Sequence, residues 1–115
     1  MKAKIFTLFF LFAVMHLYAI SSLTFEVNGL KYTTTGSSTV ELSRSDKYTG
    51  AMTIPSEVTY ASKTYSVTSI ADNAFRDSYD LSSVILPSGI TSIGEYAFAF
   101  CDKLTSVNLP GQLTN

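Results

Sequence analysis

Apolar and polar residues alternate along the first part of this chain and then settle into a longer rhythm. Phe25, Val27, Leu30 and Tyr32 alternate with polar neighbours around Asn28-Gly29. That pair predicts a hairpin, because a type I′ turn needs positive φ at both central positions. Thr39-Val40-Glu41-Leu42 reads as a further short strand, Ser43 to Gly50 as a polar surface loop, and Met52-Thr53-Ile54-Pro55 as another strand. Val58-Thr59-Tyr60 and Thr64-Tyr65-Ser66-Val67 flank Ala61-Ser62-Lys63, which predicts a second hairpin.

From Val67 the pattern repeats. Residues 67–89 and 90–112 are near copies, identical at 10 of 23 aligned positions, among them Ile70/Ile93, Ala74/Ala97, Phe75/Phe98, Leu81/Leu104, Val84/Val107, Leu86/Leu109 and Pro87/Pro110. A third copy begins at Leu113-Thr114. A period of this length predicts a solenoid, since one such unit cannot bury its apolar side alone. Within each unit the Leu-x-x-Val-x-Leu spacing predicts a strand, ended by a proline that cannot donate to a sheet. The strands should pair in parallel, with Val84 between Met52 and Val107. Their outward positions are Ala51, Thr53, Ser83, Ile85, Ser106 and Asn108. Asp72 to Asp77 and Glu95 to Phe100 read as short helical turns with Ala-Phe inward and an acidic residue at the favourable helix start. Residues 20–66 are expected to form a β-hairpin N-terminal cap that contains a degenerate first repeat, and residues 67–115 the repeats proper.

Composition then limits the chemistry. Lys2 and Lys4 precede an apolar stretch, Ile5 to Met15, which suits a signal peptide over residues 1–19, with cleavage after Ala19 or Ser21, and is short for a membrane span. Past residue 19, six basic residues face nine acidic ones. A nucleic-acid binder would carry a basic face, so that class is set aside, as is a membrane span in the mature chain. The single histidine, His16, lies in the leader, which leaves no partner for a triad, a Cys-His pair or a zinc site. No phosphate-binding glycine loop and no calcium loop is present, so neither enzyme activity nor a cofactor is expected. The lone Cys101 aligns with Ser78 and reads as a small, buried structural residue.

The run I-T-S-I-G-E-Y-A-F-A-F-C-D-K-L-T-S-V-N-L-P, residues 90–110, resembles the BspA-like class of leucine-rich repeats. Residues 67–87 are similar, with Ala71 in place of Gly and Ser78 in place of Cys. The resemblance implies a β-rich α/β leucine-rich repeat solenoid. It also implies a secreted or cell-surface bacterial protein of the adhesion type, one that binds host or bacterial surface proteins or glycans without catalytic residues. The strand face is small and polar and carries no cluster of Tyr, Trp or Arg, the types that dominate binding hot spots. A purely structural role, as the capping and spacer segment of a longer surface array, is therefore the alternative. Val107 and Leu109 at an open C-terminal edge are expected to invite self-association.

Overall fold

The computed structural model describes residues 21–114; the signal-peptide reading of residues 1–19 and His16 lie outside them. The described chain forms nine strands: β1 (Thr24–Val27), β2 (Leu30–Thr34), β3 (Thr39–Leu42), β4 (Gly50–Thr53), β5 (Glu57–Tyr60), β6 (Lys63–Ile70), β7 (Leu81–Ile85), β8 (Ser92–Ile93) and β9 (Ser106–Val107). They build two sheets. One has the order β1-β2-β3-β6-β5 with β8 added to β6, and the other is β4-β7-β9.

The N-terminal half is made by turn chemistry. β1 and β2 pair antiparallel around Asn28 and Gly29, both of which take positive φ. β5 and β6 pair antiparallel with Tyr60 opposite Lys63, so the turn is the two residues Ala61-Ser62, again both at positive φ. The two hairpins meet through Phe25, which stacks on Tyr60 at 4.3 Å between ring centroids. Tyr48 is buried beneath β2. Its hydroxyl donates to the Ser43 carbonyl at 2.8 Å and accepts from the Lys31 N–H at 3.1 Å.

The C-terminal half is parallel. β3 pairs with β6 and β6 with β8, so Leu42, Ile70 and Ile93 lie side by side. β4 pairs with β7 and β7 with β9, which aligns Met52, Val84 and Val107. Backbone bonds run between residues 23 apart: Thr91 N–H to the Thr68 carbonyl at 2.9 Å, Thr105 to Ser82 at 2.9 Å, Thr114 to Thr91 at 2.8 Å. The same three threonines donate their hydroxyls to those carbonyls as well. Phe75 and Phe98 stack at 5.0 Å with ring planes 8° apart, Phe75 fully buried and Phe98 half-buried.

The expected helical turns are corrected by the structure: among the described residues there is no helix. Residues 72–77 are a run of tight turns. The N–H groups of Ala74, Arg76 and Ser78 bond three residues back, to Ala71, Asn73 and Phe75. Those of Asn73, Phe75 and Asp77 instead donate to Glu95, Ala97 and Ala99 in the adjacent coil. A helix would aim all of these donors along its own axis. The turns free every second donor for the neighbouring coil, and positive φ at Asn73, Asp77, Tyr96 and Phe100 keeps the helix from forming. Asp72 is likewise not a helix-start residue, because its carboxylate accepts the Glu95 N–H at 2.8 Å. The coils approach closely here: a Cβ at Gly94 would collide with the backbone of Asp72.

Candidate functional site

Strand alternation turns Ala51 and Thr53 of β4 and Ser83 and Ile85 of β7 away from the core, whereas Leu81, before the slip in register, is buried. Ala51, Ser83 and Ser106 register in one row across β4, β7 and β9, and Thr53 and Ile85 in the next. The row is in line only because the ladder slips by one residue between Gly50 and Ala51, where Gly50 takes φ +70°. Ile85 is 56% exposed, a branched apolar side chain on an otherwise small and polar surface. Asn108 lies past the end of β9 and has a different use. Its carboxamide accepts from the Leu86 N–H at 2.7 Å and donates to the Leu86 carbonyl at 3.1 Å, standing in for the next rung of the ladder. The structure therefore brings five of the six expected outward residues into one face and commits the amide of the sixth to backbone.

A second cluster was missed by the sequence reading. In the turn segments, the Arg76 guanidinium lies 5.7 Å from the Tyr96 ring centroid and 5.6 Å from that of Phe100. It donates to the Asn73 side-chain oxygen at 3.3 Å, while its Nε is buried without a partner. Arg44 reaches the same place from the loop after β3, bonding the Asn73 carbonyl at 3.3 Å and pairing with Asp77 at 3.5 Å. Arg44, Asn73, Arg76 and Asp77 line an open cavity of about 250 Å³. Tyr96 and Phe100 are 67% and 58% exposed. Nearby Tyr79 is exposed too, and the Asp77 carboxylate beside it holds its phenol above the usual value.

These aromatic positions are unusual in backbone as well as exposure. Tyr96 and Phe100 sit at φ 58° and 59°, where the preceding coil places Asn73 and Asp77, residue types that tolerate the left-handed region. A bulky side chain there costs about 1–2 kcal/mol. The signal was visible in the repeat alignment as Asn-to-Tyr and Asp-to-Phe exchanges. A helical turn over residues 95–100, as the composition predicts, would have different outward positions and would hide this signal.

Cys101 is half-buried rather than buried; its thiol donates to the Phe75 carbonyl at 3.0 Å, and burial pushes its pKa up. Lys103 and Asp80 form an exposed ion pair at 2.9 Å. No group of three or more His, Cys, Asp or Glu suited to a metal ion occurs among the described residues.

Residues 55–115 match a family model described as a BspA-type leucine-rich repeat region. No curated protein matches the chain in sequence. Among solved structures, a leucine-rich repeat protein from Bacteroides ovatus is 32% identical, superimposes with a TM-score of 0.70, and covers 77% of this chain and 24% of its own. A leucine-rich cell surface protein from Faecalibacterium prausnitzii is 26% identical, with a TM-score of 0.68, over 82% of this chain and 25% of its own. A leucine-rich repeat protein from Bacteroides capillosus is 30% identical, with a TM-score of 0.68, over 78% of this chain and 67% of its own. The chain thus spans about a quarter of the first two proteins.

Proposed function

We propose, from the premise that this chain belongs to the BspA-type leucine-rich repeat family, that it is a secreted or cell-surface binding module of the adhesion type. The observation that carries this reading is the three-stranded parallel face, on which Ala51, Ser83 and Ser106 form one row and Thr53 and Ile85 the next. A surface of repeated outward positions is how solenoids meet extended partners. Exposed Ile85 supplies an apolar centre with a polar surround for a surface protein or glycan. The cell-surface description of the Faecalibacterium protein supports the location. Among the described residues no helix is long and apolar enough to cross a membrane.

In the same reading, residues 1–19 are a Sec-type signal, residues 20–66 a β cap, and residues 67–89 and 90–112 successive 23-residue coils. The 23-residue offset of the inter-coil bonds supports that division. We also propose self-association through β9, which pairs only with β7 among the described strands.

The test is binding of the purified protein to immobilised surface and matrix proteins, comparing the parent with Ile85→Glu. Loss of binding at an unchanged melting temperature supports the reading; undiminished binding refutes the strand face as the site. Mass spectrometry of the exported protein checks the leader by a new N-terminus at Ile20 or Ser22. The alternative, a capping and spacer segment with no ligand of its own, is favoured by one observation: the amide of Asn108 is spent on the Leu86 backbone rather than offered to a partner.

A further inference from the structure

We propose that the turn segments form a site for a carboxylated sugar, such as a uronic or sialic acid unit of an acidic glycan. The site shares no residue with the strand face and stands independently of binding there.

Charge is the first argument. The ion pairs among the described residues are Arg44–Asp77 and Lys103–Asp80, so the Arg76 guanidinium has no carboxylate partner. Its charge is met by one amide oxygen, from Asn73, and by the faces of two rings. Arg44 and Arg76 line the 250 Å³ cavity with a single carboxylate, Asp77. Two guanidinium groups against one carboxylate favour an anion, and a planar carboxylate is what a guanidinium receives with two parallel hydrogen bonds.

Shape and polarity narrow the anion. The cavity is open, and Tyr96 and Phe100 stand exposed where they flank Arg76. A bare inorganic anion would leave both rings unused. A pyranose presents a C–H face to an aromatic ring and hydroxyls at its edge. The Asp77 carboxylate can accept from such a hydroxyl, and the Asn73 amide can donate to one. The cavity is below the range of about 300–1,000 Å³ typical of enclosed ligand pockets, which suits one sugar ring at a chain end or branch.

Backbone strain is the independent argument. The preceding coil makes the same two turns with Asn73 and Asp77 and carries no aromatic there. Holding Tyr96 and Phe100 in the left-handed region, with their rings largely in solvent, costs stability and adds little core. Strain concentrated at exposed aromatic residues beside an uncompensated cation points to recognition.

The test is calorimetric titration at low ionic strength with sialyllactose and oligogalacturonate, each against its neutral counterpart, lactose and the methyl-esterified oligomer. The acidic sugars should bind, with the neutral ones weaker by about tenfold or more. Arg76→Gln should lose a similar factor for the acidic sugars alone. Tyr96→Asn installs the residue of the preceding coil, so it should weaken binding while raising the melting temperature. Equal affinity for neutral sugars, equal competition by a Glu-rich peptide, or no binding of either acidic sugar would overturn the proposal. So would a Tyr96→Asn protein that binds as the parent does.

Discussion

Replacing Phe75 by Ala tests how the coils are held together. The ring is fully buried, stacks on Phe98 at 5.0 Å and tilts against Tyr48 at 5.2 Å. It therefore joins the two C-terminal coils to the loop that precedes β4. Removing it forfeits the transfer energy of the ring and leaves a cavity, together about 3–5 kcal/mol. The two aromatic contacts place the site toward the top of that range. A domain of this size has a total stability of about 5–15 kcal/mol, so Phe75→Ala should leave it marginal. The melting temperature should fall by roughly 12–40 °C. Phe98→Ala removes the same kind of ring from a half-buried position whose one aromatic contact is Phe75, so it should cost about half as much. Urea titration of both variants, followed by circular dichroism, gives the comparison. Equal losses would refute the graded core, and a loss below about 1 kcal/mol for Phe75→Ala would refute its role as the link between coils.

Asn108→Ile, which copies the residue at Ile85 in the preceding coil, should cost about 1–3 kcal/mol because the Leu86 N–H and carbonyl lose their side-chain partner; faster amide exchange at Leu86 is the specific check. Tyr32 and Tyr48 are both pushed up to about 12, Tyr32 mainly by burial and then by Tyr48, Tyr48 mainly by burial, partly offset by the Lys31 N–H. The folded state thus holds these protons more tightly than the unfolded chain, so their contribution to stability is complete below pH 10 and is lost as pH rises through about 12. Denaturation at fixed pH values across that window should show stability falling, and the fall should be smaller in Tyr48→Phe; a flat profile would refute the assignment. Light scattering should show concentration-dependent association of this chain, reduced by Ser106→Lys, an exposed position of β9; a parent that stays monomeric at high concentration would refute the edge proposal.

Some of this protein is written in short stretches of its sequence. Asn28-Gly29 dictates a hairpin because those residues tolerate positive φ, and the structure has it. The Leu-x-x-Val-x-Leu spacing turns Leu81, Val84 and Leu86 into the core, and Met52, Val84 and Val107 register as that spacing requires, but Leu109, which the same spacing turns inward, is 65% exposed. Ala51, Thr53, Ser83, Ile85 and Ser106 were legible for the same reason, since side-chain direction in a strand follows from its period of two. The turn segments were not legible. Asp72 to Asp77 has the composition of a helix start, and only the neighbouring coil, by accepting the N–H groups of Asn73, Phe75 and Asp77, makes a run of turns the better state. The cluster of Arg76, Tyr96 and Phe100 follows from that outcome, as do the bonds of Asn108 to Leu86 and of Asp72 to Glu95. Each joins residues about 23 positions apart, so its energy exists only once one coil is laid on the next. Local propensity and periodicity act within a few residues, and contacts between coils belong to the tertiary structure.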